Sequence, residues 1–478
     1  MKRKVFVVLW GLASLGALAQ NAQPTPTDTL KMSLQDCIDY AVKNNVNIKN
    51  ATLDEAIASA KVREIRGIGL PQINGSAGLQ HYFKLRNSYF PGGGPFGPPA
   101  DPNDPDPTKV IVYPAIFQLP TNLDANVTAS QILFNASYIV GLQAAKTYKE
   151  LSVRASQQTK EQTISNVKKA YFQNLVNTER IKLYDININR LDSTISQTRA
   201  LQKNGFVEQI DLDRLEVTFN NLLTEYEKTL NLLILSSLQL KFQIGLPIEN
   251  NMILTDKLEK YVADTSFKSI NQVNPDDRVE YQLLRLQVKS NKLQLKNNRG
   301  EALPSLVLSG TIGAFSSAKD LNLFEGKKTA VFNSLTEAPS LQNTGAYFSS
   351  YSFFQVGLNV PLFTGLQRTN KVQQSKLSLE KSENNLKNFA EVVNLQVKVA
   401  KVNLQNSKQS LVIQQRNLDL AKKVSSNVFK KYKAGVSSNL EVITAEASLK
   451  ESQINYFNAL YDFLVNKIDF ETAAGLNK

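Results

Sequence analysis

Four segments of this chain alternate apolar and polar side chains residue by residue. They lie at 72–84, 122–130, 305–314 and 354–362. Alternation with a period of two predicts β-strands that have one apolar and one polar face. Strands of about ten residues with this pattern are typical of membrane β-barrels, although a half-buried soluble sheet alternates in the same way.

Two further segments are long and uninterrupted. Residues 142–204 and 366–434 contain neither Gly nor Pro, which leaves stretches of 63 and 69 residues. At about 1.5 Å per residue they predict helices of roughly 95–105 Å. Their apolar residues step by three and four, which predicts antiparallel coiled-coil packing. The clearest seam positions are Ile181, Tyr184, Ile188, Leu191 and Ile195, then Leu215, Phe219, Leu222, Tyr226, Leu230 and Leu233.

The same order of segments occurs twice. The pairs Gly205 and Gly435, Glu216 and Glu446, and Gly245 and Gly475 are each separated by 230 residues. Each half reads as helix, strand, strand, long helix, turn and helix, so we predict two internal structural repeats. Lys203-Asn204-Gly205 and Lys433-Ala434-Gly435 have the composition of helix ends, so each marks the tip of a helical hairpin.

The N-terminus has the composition of an export signal. Lys2, Arg3 and Lys4 precede the apolar run 5–18, which ends at Ala17-Leu18-Ala19. We predict a cleaved signal peptide over 1–19. No later segment is apolar for long enough to form a transmembrane helix, so membrane insertion would have to use strands.

Composition excludes several classes of site. Cys37 and His81 are the single cysteine and the single histidine, so neither a disulfide nor a cysteine or histidine metal site is expected. No catalytic, phosphate-binding or cofactor motif occurs, and we predict a protein that is not an enzyme and has no cofactor and no metal. The net charge of +13 is spread along the predicted helices, so we do not expect nucleic acid as a partner.

The predicted organisation follows from these segments. It comprises a signal peptide (1–19), an N-terminal segment with the first helix of repeat 1 (20–70), strands 1–2 (71–134) around an extracellular loop (86–121), the first helical hairpin (135–245, tip near 205), an equatorial linker (246–277), the first helix of repeat 2 (278–302), strands 3–4 (303–363) around a second loop (316–350), and the second hairpin (364–475, tip near 435).

Four strands do not close a barrel, and open edges cannot face lipid, because their backbone groups would have no partner. We therefore expect oligomers, in which two copies would supply eight strands and three copies twelve.

Several short motifs stand at the ends of these elements. They are the helix from Ser33 to Asn45, Leu70-Pro71 before the first strand, Leu133-Phe134, Pro361-Leu362-Phe363 with Gly365, the tip glycines, and the closing Gly245-Leu246-Pro247 and Gly475-Leu476. In this order they resemble the TolC-type outer-membrane efflux family over essentially the whole mature chain. The resemblance implies a mixed, mainly α fold, with long antiparallel coiled-coil hairpins forming an α-barrel. Four transmembrane strands per protomer would contribute to a shared 12-stranded trimeric β-barrel.

The resemblance also implies a function. The chain would be a passive channel-tunnel of the outer membrane that extends into the periplasm as a homotrimer. It would be surrounded by outer-membrane lipid and would dock to a periplasmic adaptor (membrane fusion) protein and an inner-membrane pump. The pump class and the cargo stay open. The alternative is a structural or adhesive coiled-coil protein of the cell envelope, which the two pairs of amphipathic strands disfavour.

The resemblance assigns roles to residues near the tips. It implies that Tyr432 and Asp211 form a closing latch and that Glu441, repeated threefold, forms an anionic ring at a periplasmic gate. Ser437 and Thr444 stand where the best-known family pattern has an Arg and a second Asp. From the residues alone, Asp211 and Glu441 also suit the helix N-termini that they occupy. The tips themselves, Gly205-Phe206 and Gly435-Val436, would dock the adaptor.

Overall fold

The structure is a computed structural model. It describes residues 29–91, 110–113, 118–263, 274–318, 321, 328–331, 340–343 and 348–476. The predicted signal peptide and the centres of both predicted extracellular loops lie outside these ranges.

Helices and strands follow the order that the periodicity predicts. In chain order they are β1 (Leu30–Met32), α1 (Leu34–Asn44), α2 (Val46–Ile68), β2 (Gln72–His81), β3 (Ser88–Pro91), β4 (Val110–Tyr113), β5 (Thr121–Phe134), α3 (Ala136–Lys203), α4 (Gln209–Ile244), β6 (Met252–Leu254), α5 (Glu259–Ala263), a 3₁₀ turn (Pro275–Asp277), α6 (Val279–Gly300), β7 (Ser305–Ala318), β8 (Lys328–Val331), β9 (Ser340–Asn343), β10 (Phe348–Asn359), α7 (Gln367–Lys433) and α8 (Asn439–Ala473).

The chain divides into two compact units. One comprises residues 51–158 and 274–393, and the other residues 1–50, 159–273 and 394–478. The strands predicted from the alternating segments belong to the first unit. The tips of both long hairpins belong to the second.

A four-stranded antiparallel sheet organises the first unit. Its strand order is β10-β7-β5-β2, so β2 and β10 each have a neighbour on one side. The register places Ser76 beside Asn126 and Thr128 beside Thr311. The hydroxyl oxygens of Thr128 and Thr311 lie 2.9 Å apart. Successive side chains of a strand point to opposite faces, so one face of the sheet is mainly polar and the other mainly apolar. By this register, the rings of Phe315 and Phe353 lie on the mainly polar face.

Both predicted loops contain more strand than the sequence suggested. Short hairpins form where β3 pairs with β4 and where β8 pairs with β9. Short strands thus occur within the segment 86–121 that is predicted as a loop. The second loop is also shorter than predicted, because β7 reaches Ala318 and β10 begins at Phe348, where the ladder pairs Phe348 with Ser316.

The long helices have 68 residues in α3 and 67 in α7. The first begins at Ala136, upstream of the stretch without Gly and Pro that starts at 142. Asn135 accepts a hydrogen bond from the Tyr138 N–H at 2.9 Å and so caps the helix, which then continues through Gly141. None of the described helices has the combination of length and apolar composition that crossing a membrane would need.

Asp256 connects three parts of the second unit. Its carboxylate accepts hydrogen bonds from the Leu34 N–H at 2.9 Å, the Tyr171 hydroxyl at 2.9 Å and the Tyr261 hydroxyl at 2.7 Å. Burial opposes its ionisation, but these donors together with Lys260 lower the pKa of Asp256 from 3.8 to about 2. The parallel pair of β1 and β6 lies beside it, since Met32 pairs with Leu254.

The predicted coiled-coil seam is part of the core of the second unit. Buried seam residues of α3 and α4 form one apolar cluster, against which Ile443 of α8 also packs. Its fully enclosed member is Leu215, and the other buried members are Tyr184, Leu191, Ile195, Leu212 and Leu222.

Candidate functional site: the tips of the two helical hairpins

The two tips have the same backbone geometry. Gly205 and Gly435 adopt φ values of +74° and +71°. The Phe206 N–H donates to the carbonyl of Leu201 at 3.0 Å, and the Val436 N–H donates to the carbonyl of Lys431 at 3.0 Å. These are the bonds of a helix end that a left-handed residue closes, and glycine adopts that conformation without steric cost.

Each tip presents one exposed apolar side chain. Phe206 and Val436 are both 77% exposed. A Cβ added to Gly205 or Gly435 would meet no atom within 4 Å, so both turns are open to solvent in the chain. The structure thus places the four predicted docking residues on accessible surfaces.

Glu441 lies in the first turn of α8. Its backbone N–H donates to Ser438 Oγ at 3.3 Å, and its carboxylate accepts a hydrogen bond from the Ser437 hydroxyl. The residue therefore takes part in the local capping of α8, as acidic residues at helix N-termini do.

The structure gives Tyr432 and Asp211 separate partners. The Tyr432 hydroxyl lies 2.8 Å from Thr198 Oγ1. The carbonyl oxygen of Asp211 accepts from Asn439 Nδ2 at 2.6 Å, and its carboxylate lies 3.4 Å from the same nitrogen. No hydrogen bond joins Tyr432 to Asp211 within the described part of the chain, yet each residue connects the first hairpin to the second.

The comparison with known families decides the class of protein. Residues 282–476 match the family model of the outer membrane efflux proteins. This match covers 195 of the 478 residues and runs from the first turn of α6 through β7 and β10 to the end of the second hairpin. Over these residues the chain is similar to the outer membrane efflux proteins. It is accordingly an efflux channel of the outer membrane, and the TolC-type resemblance read from the sequence is confirmed.

Solved structures extend the likeness to the first half. The Campylobacter jejuni CmeC outer membrane channel is 16% identical with a TM-score of 0.69, and the match covers 100% of this chain and 94% of that one. The open state of the Neisseria gonorrhoeae MtrE outer membrane channel is 17% identical, with a TM-score of 0.67 and coverages of 92% and 88%. VceC from Vibrio cholerae is 13% identical, with a TM-score of 0.66 and coverages of 92% and 96%. These likenesses show a shared fold, and no curated protein matches the sequence.

The family and these matched structures are channels rather than enzymes. Among the described residues, no group of His, Cys, Asp and Glu side chains could hold a metal ion.

A set of polar contacts between the two hairpins was not predicted from the sequence. Glu446 of α8 accepts hydrogen bonds from Arg190 of α3 and from Ser425 of α7, the latter at 2.7 Å. Further along, Asn187 Nδ2 donates to Gln453 Oε1 at 2.8 Å in a buried contact. Both hairpins are thus joined through side chains far from the tips.

A signal for these contacts was present in the sequence. Asn439, Glu446 and Gln453 follow one another at intervals of seven, the spacing of one coiled-coil seam. Asn439 and Gln453 are buried, and the side chain of Glu446 is 15% exposed. A polar residue at every seventh position predicts a polar seam, whereas the seam within the first hairpin is apolar.

Proposed function

We propose that three copies of this efflux protein form one passive duct through the outer membrane and the periplasm. The observation that carries this proposal is the four-stranded sheet, which has one mainly apolar face, one mainly polar face and two edges that pair with no other described strand. The duct would receive cargo from an inner-membrane pump through a periplasmic adaptor.

The sheet edges support a ring of copies. Unpaired N–H and C=O groups cannot face lipid, because each would be left without a hydrogen-bond partner. The edge strand β10 of one copy can pair with the edge strand β2 of the next. Two copies would give eight strands, a barrel filled by its own side chains, whereas three would give twelve and leave a lumen. Both long helices of each copy would then continue the ring as a helical tunnel.

The tips support the docking role. Gly205-Phe206 and Gly435-Val436 combine an open turn with an exposed apolar side chain. Small residues permit close approach of another helical hairpin, and a single apolar side chain at each tip provides area to bury. We assign the adaptor contact to these two turns.

Tyr432, Asp211 and Glu441 are the proposed gate residues. Tyr432 reaches Thr198 in the chain, and Asp211 reaches Asn439, so both belong to contacts that hold the hairpins together. A direct bond between Tyr432 and Asp211 stays a proposal for the closed trimer. The threefold repetition of Glu441 would place three carboxylates around the entrance and favour cations there.

Native mass spectrometry of the detergent-solubilised protein tests the assembly. We expect a complex of three chains that dissociates on heating. Complexes of one or two chains would overturn the proposed duct. In parallel, cells that lack the protein should accumulate a fluorescent efflux dye, and re-expression should restore its export.

A further inference from the structure

The polar face of the four-stranded sheet contains one fixed charge. Asp124 is the single charged side chain in the four described strands β2, β5, β7 and β10. Its carboxylate accepts a hydrogen bond from the Tyr351 hydroxyl at 2.9 Å and from Asn126 Nδ2 at 2.7 Å. No lysine or arginine of these strands is available to neutralise it.

The hydrogen-bonded network around Asp124 crosses the whole sheet. Ser76 of β2 donates to Asn126 of β5 at 3.0 Å, and Asn126 continues to Asp124. Tyr351 of β10 then spans β7 to reach the carboxylate. It can do so because β7 has Gly313 at this point, where an added Cβ would lie 2.5 Å from the tyrosine ring.

An aromatic pair lies beside the carboxylate. The rings of Tyr351 and Phe353 stack with centroids 6.3 Å apart and an interplanar angle of 13°. Phe353 is 53% exposed on the same polar face. A carboxylate next to accessible aromatic rings is the combination that binds organic cations, through charge and cation–π attraction together.

The group lies near one end of the sheet. Asp124 is the fourth residue of β5, and Tyr351 is the fourth of β10. Both strands begin at the side of the long loops 86–121 and 316–350. If those loops face the cell exterior, Asp124 lies close to the outer mouth of the barrel.

We propose that Asp124, Tyr351 and Phe353 form a cation-selective ring at the outer mouth of the duct, one set per protomer, which takes organic cations such as quaternary ammonium compounds. The inference rests on the proposed trimeric barrel, in which the polar face lines the lumen. The ring is distinct from the Glu441 carboxylates, which belong to the hairpin tips.

Geometry supports an effect across the lumen. Twelve strands spaced about 4.8 Å apart and tilted by about 40° enclose a radius of about 12 Å. Three carboxylates on this wall act over a distance similar to the Debye length, about 8 Å at physiological salt. Salt therefore does not screen the carboxylates completely, and a cation in much of the lumen is attracted by at least one of them.

A reporter thiol measures this potential without requiring transport or an open gate. Ser349 lies in the same row of the ladder as Asp124, because both pair with Phe315. We would introduce Ser349→Cys and compare its reaction rates with a cationic trimethylammonium-ethyl and an anionic sulfonato-ethyl methanethiosulfonate, added to intact cells. The parent protein serves as the unreactive control, since its single cysteine, Cys37, is fully buried and should not react with either reagent. Ser352→Cys, on the opposite face, is the matched control.

We expect Ser349→Cys to react faster with the cation than with the anion, and Asp124→Asn to lower this ratio by about twofold to fourfold. Asp124→Glu should keep the ratio. If Asp124→Asn does not assemble, Asp124→Ser is the second neutral variant. An unchanged ratio in a neutral variant would overturn the ring while leaving the barrel intact. If Ser349→Cys reacts no faster than Ser352→Cys with either reagent, the polar face does not line a lumen, and the proposed duct fails as well.

Discussion

The hydroxyl groups of Thr198 and Tyr432 lie 2.8 Å apart and join the last turns of α3 to the last turn of α7. Thr198 is fully buried, so its hydroxyl has no water to replace this partner. The contact connects residues 234 positions apart in the sequence and lies directly above both hairpin tips. It is therefore well placed to hold the hairpins together near the proposed gate.

Tyr432→Phe should loosen the gate. The substitution keeps the ring but leaves the buried Thr198 hydroxyl unpaired, which costs about 0.5–1.5 kcal/mol in each protomer. We expect a higher single-channel conductance in planar bilayers. Thr218→Val is the matched control, because the Thr218 hydroxyl makes a solvent-exposed hydrogen bond to the carbonyl of Arg214 in its own helix. If Tyr432→Phe and the wild type have equal conductance, this contact does not help to keep the gate closed.

A double-mutant cycle identifies the partner of Tyr432 in the assembled protein. Tyr432→Phe is combined in turn with Thr198→Val and with Asp211→Ala, and the conductance of each combination is measured. If the effects on conductance are non-additive only for the pair Tyr432→Phe and Thr198→Val, Tyr432 contacts Thr198 in the assembled protein, as it does in the single chain. Non-additivity with Asp211→Ala would instead support the latch that the resemblance implies.

Glu446→Ala should destabilise the protein more than Glu216→Ala, although the two residues occupy equivalent places in the predicted repeats. Glu446 is 15% exposed and connects three helices, so its loss leaves Arg190 without its carboxylate and costs about 1–3 kcal/mol. Glu216 pairs with Arg199 at 2.7 Å, but both side chains are about half exposed, so its loss costs at most about 1 kcal/mol. Thermal unfolding of both variants measures the difference. The prediction fails if the two changes in Tm are equal.

Acid should weaken the junction around Asp256. Its pKa is lowered from 3.8 to about 2 in the folded protein, so the carboxylate contributes stability above pH 4. This contribution is lost as the pH falls from about 4 to about 2. We expect the Tm of the wild type to fall over this range and that of Asp256→Asn to fall less. Identical pH profiles would show that the hydrogen bonds to Asp256 do not depend on its charge.

Gly435→Trp should abolish transport without preventing trimer assembly. No atom lies within 4 Å of a Cβ at this position, so the indole would project from the tip and block the approach of an adaptor. Gly435→Asn is the control, because asparagine tolerates a positive φ and is small. We expect dye efflux to persist in Gly435→Asn and to stop in Gly435→Trp. Normal efflux by Gly435→Trp would count against docking at this turn.

The Pro- and Gly-rich centre of the first loop should be accessible from outside the cell. Residues 92–109 lie outside the described ranges, between β3 and β4. A protease added to intact cells should cut there, since loops of this composition are preferred cleavage sites. Mass spectrometry of the fragments locates the cut. Cleavage that requires access to the periplasm would reverse the topology.

Local patterns were sufficient for the elements and their order. Alternation identified the four long strands, and the absence of Gly and Pro identified α3 and α7. Gly205 and Gly435 marked the tips, because a left-handed helix end is specified within one turn of chain. The predicted ends of the helices and strands agree less closely with the structure than their order does. Gly141 interrupts the pattern in the sequence but lies inside α3, because a glycine is tolerated inside a helix that Asn135 caps upstream.

The sequence by itself determined the periods of the helices and strands, because these depend on neighbouring residues. The repeat and the export signal stay predictions from the sequence. Tertiary structure alone decided the partners: Tyr432 with Thr198, Glu446 with Arg190, and Tyr351 with Asp124 across Gly313. Such pairs join elements hundreds of residues apart. No local preference specifies them, because a hydroxyl or a carboxylate accepts many donors equally well, and the packing of the helices and the register of the strands select among them.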